Sequence, residues 1–173
     1  MYAKDDNFLK QLFKFLKMNR NDIKGYSQSV IANVERYVLQ NELLGIIKQL
    51  AAKGVSFDTI GIDGRCALHQ IVSEKPLKFI EFLYDLGMNF SVLESDGCNC
   101  LFLALEAGKL DLASFFIHKG IQVQAPNSRA FRLLKRRLEE DNKEQFKSLL
   151  KFGLNDLKEY RDVDGSNLAL LVS

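Results

Sequence analysis

A glycine recurs at Gly54, Gly87, Gly120 and Gly153, each 33 residues after the last. A fixed period of that length restricts a chain to a stack of small supersecondary units, none able to bury its apolar face alone. Asp63-Gly64 and Asp96-Gly97 keep the same spacing, and Asp164-Gly165 returns in the same role two residues late. Apolar columns keep register too: Leu44, Leu77 and Leu110; Ile46, Phe79 and Leu112; Ile47, Ile80 and Ala113; Leu50, Leu83, Phe116 and Leu149; Ala51, Tyr84, Ile117 and Leu150. Within each unit these positions follow i, i+2, i+3, i+6, i+7, which predicts one broad buried face of a helix.

The periodicity and the breakers between units predict a series of paired helices. An N-terminal helix runs from a cap at Asp5 or Asp6 to about Met18, with Phe8, Leu9, Leu12, Phe13 and Leu16 on one face and Lys10, Lys14 and Lys17 on the other. Asn19-Arg20-Asn21-Asp22 and Gly25 read as a break. Ser27 or Ser29 opens a helix to about Gln40, with Val30, Ile31, Val34 and Val38 inward and Leu43 to Lys53 as its partner. The following pairs are Cys66 to Glu74 with Pro76 to Leu86, Asn99 to Ala107 with Lys109 to Lys119, and Arg129 to Glu140 with Asn142 to Phe152. Pro76 suits a first helical position, and Pro126 an inter-unit hairpin. A last helix begins near Asn167 and ends with the chain on Leu168, Leu170, Leu171 and Val172. That helix is either a cap or the start of a unit continued in a longer protein; the rule that terminal units carry a polar outer face favours the second.

The run Asp63-Gly64-Arg65-Cys66-Ala67-Leu68-His69, closed by Gly87-Met88-Asn89-Phe90-Ser91, resembles the ankyrin repeat. That family's run is Asp-Gly-x-Thr-Pro-Leu-His, ending a unit later in Gly-Ala-Asp-Val-Asn. The next unit, Asp96-Gly97-Cys98-Asn99-Cys100-Leu101-Phe102, closes at Gly120-Ile121-Gln122-Val123-Gln124. Thr-Pro is replaced by Cys66-Ala67 and by Asn99-Cys100, and the following unit has Arg129-Ala130 in place of Asp-Gly. The resemblance implies an all-α solenoid of about four helix-turn-helix units, approximately 27–60, 61–93, 94–126 and 127–161, with a partial unit 162–173 and an N-terminal capping helix in 1–26. The insertion near Tyr160 enlarges one hairpin, and insertions in such arrays tend to lie on a binding face. The strong divergence, rich in Phe, Lys and Asn, resembles ankyrin proteins that intracellular bacteria deliver into host cells.

Composition excludes several classes. The 173 residues are 47% hydrophobic, enough for one domain with a core. Lys and Arg number 24 against 22 acids, a balance that gives no global case for nucleic acid. Three cysteines without metal spacing point to a reducing, intracellular compartment. No apolar run approaches the ~20 residues of a membrane span, and the N-terminus lacks the apolar core of a secretory signal.

Candidate chemistry is sparse. His69 falls in the family's histidine column, which implies a structural tie between turns; a general-base role finds no nearby partner in sequence. His118 lies in a polar column, and two histidines in different columns make no metal site. Cys98 and Cys100 are spaced Cys-x-Cys; the resemblance implies that Cys100 is buried and that Cys98 faces a partner as an accessible thiol, with nothing clearly lowering its pKa. Arg129, Arg132, Lys135, Arg136 and Arg137 form a basic run, followed at once by Glu139-Glu140-Asp141 and lacking aromatic interleaving. This reads as a solvated helix face neutralised by its neighbours, whose functional use is an acidic patch on a protein partner. The phenylalanines of the N-terminal helix fit a cap on the first unit better than a membrane surface.

The hairpin tips carry the most information. The resemblance places Ile60, Ile62, Leu93, Ser95, Asn127, Ser128, Tyr160 and Arg161 on them, with Arg65, Ser73, Glu74, Cys98, Glu106 and Ala107 on the adjoining helical side of a concave face. Ile60, Ile62, Leu93 and Tyr160 are apolar where the stack does not require it, which marks a partner site. The expectation is a monomeric, non-catalytic module that binds a protein partner without cofactor or metal. Two other readings stand beside it: the targeting segment of a larger enzyme or translocated effector, and binding of nucleic acid or anionic lipid through the basic helices.

Overall fold

A computed structural model describes residues 6–155 and Gly165. The expected last partial unit, the Tyr160 hairpin with Arg161, and the Asp5 cap lie outside the described residues. Ten helices and no strand occur among the described residues. They fall into two compact units, residues 1–89 and 90–173.

The first unit holds α1 (Asp6–Lys17), α2 (Arg20–Lys24), α3 (Gln28–Gln40), α4 (Leu44–Ala52), α5 (Ala67–Glu74) and α6 (Leu77–Asp85). Here α1 packs on α4, and α3 packs on both α4 and α5. The second unit holds α7 (Cys100–Glu106), α8 (Leu110–His118), α9 (Asn127–Glu139) and α10 (Lys143–Lys151), with α7 on α8 and α9 on α10. The predicted break at Asn19 to Asp22 is instead a helical turn: the Asn19 side chain accepts from the amides of Asn21 and Asp22, both at 3.0 Å. A good N-cap followed by only one turn looks like a loop in a sequence. Pro76 and Pro126 each precede their helix as its cap residue, one position before the first helical residue.

The 33-residue glycine period has one physical cause. Each of the four glycines follows the C-cap residue of a unit's second helix and takes a left-handed φ, between 80° and 106°. The amide of Gly54 donates to the Ala51 carbonyl at 2.8 Å, and that of Val55 to the Leu50 carbonyl at 3.0 Å. The same pair of bonds recurs at Gly87 and Met88, at Gly120 and Ile121, and at Gly153 and Leu154. This is the Schellman closure, which satisfies orphan carbonyls and needs a residue without a Cβ penalty.

The columns at Ile47, Ile80 and Ala113, and at Leu50, Leu83, Phe116 and Leu149, are buried. Those at the edges of the predicted face are not: Leu44 is 48% exposed, and Ile117 is exposed. Leu44 begins its helix and Ile117 sits in the last turn, where less of the unit lies over the side chain. Among the described side chains of α1, Leu12 and Phe15 are buried and Leu16 is half-buried; those of Phe8, Leu9 and Phe13 lie outside the description. Phe15 was not on the predicted face; its ring packs at 4.8 Å from that of Tyr26.

Candidate functional site

Each unit presents a short hairpin before a first helix. In the first unit the Gly61 amide donates to the Arg65 carbonyl at 2.9 Å and the Gly64 amide to the Gly61 carbonyl at 3.0 Å. Asp63 pins this turn. Its carboxylate accepts from the Arg36 guanidinium at 2.9 and 3.1 Å, from Gln70 at 2.9 Å and from the Arg65 amide. Partial burial alone would raise the Asp63 pKa, but Arg36 and the Arg65 amide hold it below the usual carboxylate range. With the base fixed, Ile60 and Ile62 stand out, Ile62 at 97% exposure. The second unit repeats the device. The Glu94 amide donates to the Cys98 carbonyl at 2.9 Å, Leu93 bridges to Asn99, and Leu93 remains 43% exposed beside exposed Ser95.

The helical candidates are mixed. Ser73 and Glu74 are exposed at the end of α5; Ala107 is exposed after α7; Asn127 is exposed at the start of α9. Arg65, Glu106 and Ser128 are half-buried.

Cys98 corrects the expected accessible thiol: it is fully buried. Burial pushes its pKa up to about 12, although Arg129 nearby opposes this. Around it lies a knot of charge that the sequence does not reveal. Arg129 binds Glu94 at 2.5 Å, Glu106 at 2.8 Å and Asp96 at 3.4 Å, and its guanidinium lies 5.6 Å from the Phe102 ring centre. Glu94 is itself buried. Arg129 therefore serves the fold and is not part of a free basic face. Its acids lie 23 and 35 residues earlier in the chain, beyond the reach of a local reading. The rest of the basic run divides as well. Arg137 pairs with Glu140 at 2.7 Å, as the following acids led one to expect, and reaches the Glu106 carbonyl at 3.4 Å. Lys135 lies over the Phe131 ring. Arg132 and Arg136 are exposed and have no partner among the described residues. They line a cavity of about 280 Å³ together with Glu106, Arg129 and Leu133.

His69 has a partner after all, three residues back. Its Nδ1 accepts from the Cys66 amide at 3.2 Å and lies 3.2 Å from the Cys66 sulfur. Both side chains are buried and burial pushes the thiol up to about 11, so the pair closes the start of α5 and offers no exposed nucleophile. At the equivalent place in the second unit, Asn99 does more than the sequence reading gave it. Its side chain accepts from the Phe102 amide at 3.1 Å, capping α7, and donates to the Gln122 carbonyl at 2.7 Å. A Ser, Thr, Asp or Asn just before an apolar run was the available signal.

Glu35 is the most perturbed acid. It is 2% exposed on α3 and accepts from the Thr59 amide at 3.2 Å and the Thr59 hydroxyl at 2.9 Å. Burial raises its pKa to about 7 against these bonds, and Asp58 adds to the rise. Among the described residues no set of three or more His, Cys, Asp or Glu is grouped to hold a metal ion. Nor is any helix among them long and apolar enough to cross a membrane.

The chain matches the family described as ankyrin repeats (3 copies) over residues 36–127, more than half its length. It is 30% identical over 76 residues to an ankyrin repeat protein of Acanthamoeba polyphaga mimivirus, a stretch that is 44% of this chain and 10% of the viral protein. It is 24% identical over 94 residues to the Notch-regulated ankyrin repeat-containing protein of Xenopus tropicalis, 54% of this chain and 82% of that one.

Proposed function

Because the chain belongs to the ankyrin-repeat family, we propose that it is a protein-recognition module that reads its partner with the hairpin tips and the adjoining ends of the first helices. The observation that carries this is an apolar, exposed tip on a hydrogen-bonded hairpin in each unit, Ile62 in the first and Leu93 in the second. Ile62 is almost wholly in water while Asp63 beside it is held by three different residues. Burying one such side chain against a partner contributes roughly 1.5–3 kcal/mol. A preformed loop also loses little ordering entropy on binding. Ile60 and Leu93 add to this apolar contact, Ser73, Glu74, Ser95, Ala107 and Asn127 supply the polar and small rim, and the buried Cys98 has no part in it.

The test is capture of proteins by the chain and by a variant with Ile60, Ile62 and Leu93 changed to Ser, after both show the same circular dichroism and melting. A partner identified by mass spectrometry, held by the parent and lost by the variant, is the expected result. Equal capture by both removes the hairpin tips from the account.

A further inference from the structure

The geometry points to a carboxylate-binding subsite on α9, in which Arg132 and Arg136 take the acidic side chains of a protein partner. This rests on the protein-recognition reading and says which chemistry the partner carries. Five cations lie between Arg129 and Arg137, and the structure removes three from service. Arg129 is consumed by Glu94 and Glu106, Arg137 by Glu140, and Lys135 is half-buried over Phe131. Arg132 and Arg136 remain, exposed and without a partner among the described residues. Residues four apart on a helix project from one face on successive turns. The cavity they border, about 280 Å³, is walled by three guanidinium groups and one carboxylate. That carboxylate, Glu106, is already taken by two Arg129 nitrogens, at 3.4 and 2.8 Å. Among the described residues the wall therefore carries net positive charge, with its one acid turned to Arg129.

Arginine suits this use. Its planar fork meets a carboxylate through two parallel bonds and is more weakly hydrated than an ammonium. Nucleic acid fits less well: among the described residues no aromatic ring lines the cavity to stack a base, and a net charge of +2 supplies no broad phosphate-attracting field.

The experiment uses fluorescence anisotropy with the whole chain and a short labelled peptide of alternating Glu and Ser. The companions are the same peptide with Gln for Glu, and a short single-stranded DNA. Arg132→Gln with Arg136→Gln removes the subsite. Lys147→Gln with Lys151→Gln removes equal charge from exposed positions on α10. The acidic peptide should bind at low salt, weaken as salt rises, and lose about tenfold or more in the arginine variant but not in the lysine variant. No binding of the acidic peptide, equal loss in both variants, or equal binding of the Gln peptide overturns the inference. DNA bound more tightly than the peptide, and lost with the arginines, reassigns the subsite to nucleic acid and also overturns it. The two proposals fail separately. Capture that depends on Ile60, Ile62 and Leu93 without acidic-peptide binding leaves the recognition reading standing and ends this one; the converse pattern ends the other.

Discussion

Glu35 gives this fold a pH dependence that runs against ordinary acid denaturation. Its carboxyl is pushed from 4.5 up to about 7 in the folded state, chiefly by burial, with Asp58 adding to the rise. The Thr59 amide and hydroxyl bond the carboxylate, and they and the Phe57 backbone oppose the rise without cancelling it. The folded state thus holds this proton more tightly than the unfolded state. The contribution is fully present below the unfolded value of 4.5 and is lost as pH rises through about 7. At 1.36 kcal/mol per unit, a rise from 4.5 to about 7 is worth about 3 kcal/mol. Glu35→Gln removes the titration with little change of shape, since the amide accepts from the Thr59 N–H and donates to the Thr59 hydroxyl oxygen. Urea unfolding of both proteins, in steps from about pH 4 to about pH 8 at fixed ionic strength, separates this group from the other carboxylates. The two should match near pH 4. Above pH 7 the variant should be more stable by as much as about 3 kcal/mol, a midpoint difference of roughly 1.5 M if m is about 2 kcal/mol per M. A difference that stays flat with pH, or a variant less stable than the parent above pH 7, refutes the reasoning.

Other outcomes follow from the same structure. Gly87→Ala should cost about 1–2 kcal/mol in thermal or urea unfolding, from the left-handed φ alone, since nothing lies within 4 Å of the added Cβ. Gly45→Ala, helical and equally uncrowded, should do the opposite and stabilise by roughly 0.5–1 kcal/mol. Arg129→Leu leaves the buried Glu94 without its cation and should destabilise by about 3 kcal/mol in urea unfolding, whereas Arg132→Leu, at an exposed site, should change stability by less than about 0.5 kcal/mol.

The helix pairs were legible because their causes are local and repeated. A glycine that must be left-handed and an apolar stripe at helical spacing recur every 33 residues, with an Asp-Gly turn in two successive units, so α3 to α10 could be placed to within a residue or two. The five-residue α2 was hidden because one capped turn has no periodicity to read. Phe15 was missed because it stands beside the stripe that was read, where its ring packs on the more distant Tyr26. The tips were legible as apolar residues flanking Asp63, and Ile62 stands where that reading put it. The burial of Cys98 was not, because the charged group that acts on it, Arg129, lies 31 residues away in the chain and gathers acids from an earlier repeat. The basic run shows the same limit. Its sign was plain in the sequence, but only folding decides that Arg129 is spent and that Arg132 is exposed, without a partner among the described residues.

The most direct measurement of the central claim is hydrogen–deuterium exchange of the chain with and without its captured partner. The account predicts protection at the amides of the two hairpins, residues 59–65 and 93–98, and at the ends of the first helices. Protection confined to the second helices α4, α6, α8 and α10, with the hairpins exchanging as in the free chain, would contradict it.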